Sequence, residues 1–451
     1  MGLWGRLTGA AKPALGPKVM ILGLDGTPFS LLRRLIDEGV MPNLARIVAE
    51  GTFAPMQTTI PDISSVAWTT FFTGVNPAKH GIYGFVDLRP KSYDLDFPNV
   101  SHVRVPAMWN ALDAARKRSI VINVPSTYPA QPLNGILVSG FVALDLAKAT
   151  YPRSLVPDLE RAGYQLDVDA TIAKESLEAY ARALTSSLDA REAVIWRLMT
   201  EQAWDLFVGV ITETDRMHHY LWAALDDPSH PQHGFFLDLY RRIDAWMGKV
   251  YEWYRGRGLF ILMSDHGFCG IKKEVYLNYW LKAEGYLSFL TDRPASPADM
   301  APGTTAFALD PARIYIHTKD RYPRGSVGTR EAYDRLRAEL RERLAALTID
   351  GERVVKRVFF KEDLYVGPEA ASAPDLILLP ERGYDLKGAL GRTTLSGNTL
   401  FTGMHTQDDS TCFLNVPGLR TSPLHITDLA ATVLAHLGVP PLVPLDGTSL
   451  L

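Results

Sequence analysis

The sequence predicts an open α/β fold: a mostly parallel central sheet with helices on both faces and inserted segments beside it. Three observations carry this. Short continuous apolar runs recur at Lys18–Leu24, Ser119–Val124, Leu206–Ile211 and Gly258–Met263, the pattern of strands covered on both faces. Segments of helical period alternate with them. Three of these runs end in an acidic residue, at the strand ends where open α/β sheets collect ligands.

In order, Lys18 to Leu24 is the first strand and stops at Asp25-Gly26. Pro28–Glu38 and Pro42–Glu50 read as helices, each opened by a proline suited to a first turn. Pro61 to Phe85 then places Ser64 and Ser65 after a proline turn and ahead of an apolar run, at or beside a helix N-cap. There the backbone N–H groups and the helix dipole favour an alkoxide or a phosphate. Ser119–Val124 and Gly135–Phe141 are further strands, and Ser176–Gln202 is a long helix. The strand Leu206–Ile211 leads into Thr-Glu-Thr-Asp-Arg-Met-His-His, in which Asp215 and His219 are spaced to share a helical face, as two ligands of one metal do.

Phe235–Arg255 reads as an aromatic-rich packing helix, and the strand Gly258–Met263 ends in Ser264-Asp265-His266-Gly267. From about 270 to 359 the pattern loosens, as expected of an inserted cap; it contains a long loop near Thr291–Thr305 and a charged amphipathic helix over Thr329–Leu347. Asp375–Leu379 resumes the buried-strand pattern. His405 lies in a polar loop, ahead of a strand at Cys412–Val416 and a last helix at Ile426–Leu437.

Composition narrows the function. The 451 residues carry 47 basic and 50 acidic side chains, a net charge of −3 that offers no bulk field for nucleic acid. No apolar run is long enough to span a membrane. Residues 1–17 lack the continuous apolar centre of a secretory signal and are read as a tail. The two cysteines, Cys269 and Cys412, make no disulfide framework, which fits a reducing compartment, and a cytoplasmic location is expected. The strand-end donors Asp25, Asp215, His219, Asp265 and His266, with His405, are nitrogen and oxygen ligands that suit two zinc or manganese ions. A hydroxyl such as Ser64's would become a nucleophile beside them.

Gly-Leu-Asp-Gly at 23–26, the segment from Ser64 to Ile82, Asp215 with His219, Ser-Asp-His-Gly at 264–267 and His405 together resemble the alkaline phosphatase superfamily, in its type I phosphodiesterase and nucleotide pyrophosphatase branch. The resemblance spans 18–451 and implies a single catalytic domain of alkaline phosphatase-like fold. It implies one ion held by Asp215, His219 and His405 and a second by Asp25, Asp265 and His266, with Ser64 bridging toward the second. Ser65 is the alternative nucleophile and His218 the alternative ligand; His80 is implied to hold a turn. The implied reaction is hydrolysis of a small phosphate diester or pyrophosphate through a phospho-serine intermediate. A phosphomonoesterase or headgroup transferase is the alternative. Ser64-Ser65-Val66-Ala67-Trp68 lacks the proline and arginine of a sulfatase, and Trp68 is expected to set an apolar wall toward the substrate. Residues that select the leaving group are expected in 142–205 and 270–359.

Overall fold

The computed structural model describes residues 16–451. Apart from Gly16 and Pro17, the expected tail lies outside the described residues.

An eight-stranded sheet forms the centre. Its strands are β1 (Lys18–Leu24), β2 (Thr52–Met56), β3 (Ser119–Val124), β4 (Gly135–Ser139), β5 (Thr150–Tyr151), β6 (Leu206–Ile211), β7 (Gly258–Met263) and β8 (Ser410–Leu414). The spatial order is β2-β8-β7-β1-β6-β3-β4-β5. The run from β7 to β4 is parallel, and β8, β2 and β5 pair antiparallel at the flanks. Alternation along the buried strands divides the core into two layers. Met20, Leu22 and Leu24 face the helices Leu177–Glu201 and His233–Tyr254. Val19 and Ile21 face the helices Ser64–Thr73 and Thr427–His436. Each such aliphatic side chain contributes about 1.5–3 kcal/mol by leaving water.

A buried ion pair joins two helices behind the sheet edge. Arg191 and Glu213 are each 1% exposed, with Arg191 Nε 2.9 Å from Glu213 Oε1. Ser187 Oγ–H donates to the same carboxylate, and Arg191 Nη1–H donates to Tyr164 Oη. Glu213 opens the helix Glu213–Asp226, so this network fixes where that helix starts. Arg191→Met leaves a buried carboxylate without its cation and should cost about 3–5 kcal/mol in equilibrium denaturation.

The buried strand expected near 375 forms, in a sheet of its own apart from the central one. Leu376–Pro380 pairs with Arg313–Ile316 and Val355–Phe360 in a second, four-stranded antiparallel sheet that also contains Ala306–Leu309. The helix Arg330–Ala345, N-capped by Thr329, contributes Leu340 and Leu344 to the core of this second sheet. An apolar run alone does not distinguish a strand buried between two helical layers from one buried beneath a single helix, so the sequence pattern was silent on which sheet would receive it.

Candidate metal centre and nucleophile

Sheet order explains why distant carboxylates meet. β7, β1 and β6 are adjacent and parallel, so their carboxyl ends lie along one edge. Asp25 follows β1 directly, Asp265 lies just past β7, and Asp215 sits in the first turn of the helix that follows β6. His219 lies one turn further along the same helix. His405 arrives on a two-stranded ribbon, Gly267–Gly270 with Gly403–Thr406, in which it stands opposite Phe268.

These side chains form two groups. Ligand atoms of Asp215, His219 and His405 lie within 4.8 Å of one another, as do those of Asp25, Asp265 and His266. The second group is fully buried, whereas His219 and His405 keep 22% and 15% of their side chains exposed. One group is thus internal and the other lies at the mouth. In the outer group His405 Nε2 is 3.1 Å from His219 Nε2 and 3.3 Å from Asp215 Oδ1. In the inner group His266 Nε2 is 3.4 Å from Asp265 Oδ2 and 3.6 Å from Asp25 Oδ1.

Backbone carbonyls set both imidazole orientations. His266 Nδ1–H donates to Gly267 O at 3.0 Å and His405 Nδ1–H donates to Asp62 O at 2.9 Å, which leaves each Nε2 turned toward the carboxylates. This is the arrangement by which metal-ligating histidines are aimed. Three carboxylate oxygens, Asp25 Oδ1, Asp215 Oδ1 and Asp265 Oδ2, are buried without a hydrogen-bond partner. Such atoms are costly to bury unless something of opposite charge meets them. The donor set therefore fits divalent cations.

The titration behaviour has the same cause. Burial raises Asp25, with Asp265 and Asp215 adding repulsion, and burial pushes Asp265 up to about 7. Burial would also raise Asp215, but His219, His405 and Arg216 outweigh it and hold that carboxyl well below its usual range. Burial lowers His219 to about 3 and opposes protonation of His405, whose contact with Asp215 nevertheless raises it. Without a cation the outer group thus keeps its proton on His405, against an ionised Asp215 and a neutral His219, at the point where a cation would neutralise the same carboxylate.

Ser64 is the first residue of the buried helix Ser64–Thr73, whose N-cap is Ile63. No side chain caps this helix, so the Ser64 hydroxyl is free of that duty and lies 3.1 Å from His266 Nε2. Ser65 Oγ is buried without a partner and forms no contact with either cluster among the described hydrogen bonds. His218 turns away: Gly26 O accepts from its Nδ1–H at 2.9 Å, and Tyr240 Oη lies 2.8 Å from Nε2. His80 Nδ1 accepts from Ile82 N–H, and its Nε2 lies 2.9 Å from Thr70 Oγ1, tying the turn after the helix to the helix itself.

Trp68 forms no wall toward a substrate. It is fully buried, and its Nε1–H donates to Asp25 Oδ2 at 3.1 Å. Gly23 makes this possible, because a Cβ there would come within 2.7 Å of the indole ring. Gly26 is constrained twice, by a φ of +61° and by Asp215, His266 and Phe268 at 3.1 Å from the place a Cβ would occupy; its N–H donates to Asp265 Oδ1.

A cleft of about 220 Å³ opens beside His219 and His405, walled by Ile63, Phe85, Leu378 and Leu386 and holding the Asp385–Lys387 pair. Next to it lies a charged cleft of about 350 Å³ containing Lys272, Arg353, Lys356 and Arg382. Part of this lining comes from 376–387, beyond the segments in which leaving-group selection was expected, because the second sheet delivers Leu376–Pro380 to the mouth.

Two side chains, one touching the site and one behind it, went unread in the sequence. Arg216 Nη1–H donates to Asp215 Oδ2 at 3.0 Å, and Asp167 grips the same guanidinium with both oxygens, at 2.9 and 2.8 Å. The adjacency of Arg216 to Asp215 was the available signal.

The chain from 19 to 408 matches the family model described as type I phosphodiesterase / nucleotide pyrophosphatase, an interval containing every residue of both clusters and Ser64. A search of curated proteins gives no match. Among solved structures, phosphonoacetate hydrolase from Sinorhizobium meliloti 1021 superposes with a TM-score of 0.65 at 17% identity, covering 96% of this chain and 98% of that one. Murine ectonucleotide pyrophosphatase/phosphodiesterase 5 gives 0.56 at 13%, covering 96% and 97%. The human form gives 0.56 at 14% with the same coverage. These similarities show a shared alkaline phosphatase-like fold. By the family match along most of its length, the chain belongs to the type I phosphodiesterase/nucleotide pyrophosphatase family of the alkaline phosphatase superfamily.

Proposed function

We propose that the protein is a metal-dependent phosphodiesterase acting on small phosphate esters or pyrophosphates, with Ser64 as the nucleophile. The observation that carries this reading is the pairing of three orphaned carboxylate oxygens with three imidazoles in two ligand groups, one of whose members, His266, lies 3.1 Å from the Ser64 hydroxyl. Asp215, His219 and His405 would hold one divalent ion, and Asp25, Asp265 and His266 the other. Zinc suits this donor set best, and manganese is compatible with it. Such ions supply Lewis-acid neutralisation of phosphoryl oxygens and favour an ionised hydroxyl.

Ser64 Oγ attacks phosphorus in line, forming the Oγ–P bond as the bond to the alcohol or phosphate leaving group breaks. Its place in the first helical turn, where N–H groups lack intrahelical partners, favours negative charge on the attacking oxygen. Water then attacks phosphorus, the Oγ–P bond breaks, and the hydroxyl is restored. The cleft beside His219 and His405 gives the leaving group an apolar wall. We read the chain from 18 onward as one catalytic domain in which the second sheet roofs this mouth.

The purified protein should hydrolyse bis-p-nitrophenyl phosphate faster than p-nitrophenyl phosphate. Chelation should abolish both activities, and zinc or manganese should restore them. The reverse substrate preference would make it a monoesterase, while product transfer to added alcohols would make it a transferase. Turnover unaffected by exhaustive chelation would remove the metal from the proposal. Among the described residues, no helix is long and apolar enough to cross a membrane.

A further inference from the structure

We infer that Asp167 and Arg216 form a charge-compensated clamp that positions Asp215 for its cation, an inference resting on the metal-centre reading above. Asp215 uses its two oxygens differently. Oδ1 faces His405, His219 and His266 at 3.3, 3.5 and 3.9 Å and has no hydrogen-bond partner. Oδ2 is held by Arg216 at 3.0 Å. One oxygen is presented and the other is anchored, which fixes the carboxylate plane.

Arg216 is immobilised in turn. Asp167 accepts from Nε–H and Nη2–H in a bidentate pair, the strongest geometry available to a guanidinium. The guanidinium also lies 4.3 Å from the centre of the Phe141 ring. Its backbone carbonyl accepts from Tyr180 Oη–H at 3.1 Å. Arg216 is 15% exposed and Asp167 25%, so the pair is only partly screened by solvent.

Charge explains why two residues are needed. An arginine alone beside a cation site would order Asp215 while repelling the cation. Asp167 cancels that charge, leaving the hydrogen bond to Asp215 without a net positive charge behind it. Arg216 and Asp167 are accordingly positioning residues: they act on the cation through Asp215. Asp167 reaches the site from the loop between the helices Val156–Arg161 and Ile172–Glu175, which gives a function to a stretch with no motif of its own.

The test is titration of the whole protein with buffered zinc, resolving two affinities per chain, alongside thermal unfolding. As a control, Asp215→Asn should weaken one of the two. Asp167→Asn and Arg216→Met should each weaken that same affinity by about 10–100-fold, the range for losing a group that orients a metal ligand. The double variant should be no worse than Asp167→Asn alone, because removing the arginine also removes the uncompensated charge. Asp167→Asn is isosteric and lies in a loop, so it carries the test if Arg216→Met fails to fold. Zinc affinities unchanged in the Asp167 variant, or losses that simply add in the double variant, would overturn the clamp. No change in Asp215→Asn would instead overturn the metal-centre reading beneath it.

Discussion

Ser64→Ala should lower turnover of bis-p-nitrophenyl phosphate by roughly 10³–10⁶-fold, the scale on which deletion of an attacking hydroxyl acts. Bound metal and thermal stability should stay close to those of the unmodified chain. The substitution removes one oxygen from a buried position, and that oxygen caps no helix and, among the described residues, has His266 Nε2 as its one hydrogen-bond partner. Ser65→Ala is the matched control. Its hydroxyl sits one residue along the same helix without a partner, so turnover should be retained. Steady-state kinetics on both variants decide the matter: retained activity in Ser64→Ala with loss in Ser65→Ala would transfer the nucleophile to Ser65. Loss of a burst of p-nitrophenol in Ser64→Ala would localise the effect to formation of the phosphorylated intermediate.

The second large effect concerns metal, pH and stability together. Without a cation, burial raises Asp265 to about 7 and also raises Asp25. A carboxyl whose pKa is higher in the folded chain than in the unfolded chain binds more protons when folded. Its contribution to stability is complete below the unfolded value near 4 and is lost as pH rises toward 7, at a rate of up to about 1.4 kcal/mol per pH unit for each proton. Metal requires the ionised carboxylates and removes that penalty. The gain in stability on adding zinc should therefore grow steadily from pH 4 to pH 7 and then level off. Denaturant titrations of metal-free and zinc-loaded protein across that range measure it. A gain independent of pH would mean that Asp265 does not meet the ion.

Much of the fold was legible because fully buried strands write themselves as unbroken apolar runs, and β1, β3, β6 and β7 all do so. The carboxylates past β1, β6 and β7 were legible for a related reason: a charged residue within a few positions of the end of such a run has few places to go but the sheet edge. Leu376–Pro380 was legible as a buried strand but not as a member of the second sheet, because burial has the same apolar signature in either sheet. Trp68 misled. Its ring is apolar, but the hydrogen bond to Asp25 depends on the gap left by Gly23 across the sheet, and no local pattern encodes that complementarity. The Asp167–Arg216 clamp joins residues 49 positions apart through a loop, beyond the reach of any periodicity.

The ribbon that carries His405 has a consequence for how the protein is made. His405 reaches back to Asp62 across 343 positions, and Asp265 accepts from Gly26 across 239. During synthesis the inner ligands Asp25, Asp265 and His266 all exist well before the outer group is complete, because His405 is translated last. In the proposed two-ion site, the outer group therefore could not hold its ion until nearly the whole family region had left the ribosome. A chain that stalls before His405 lacks one of the three donors of the outer group.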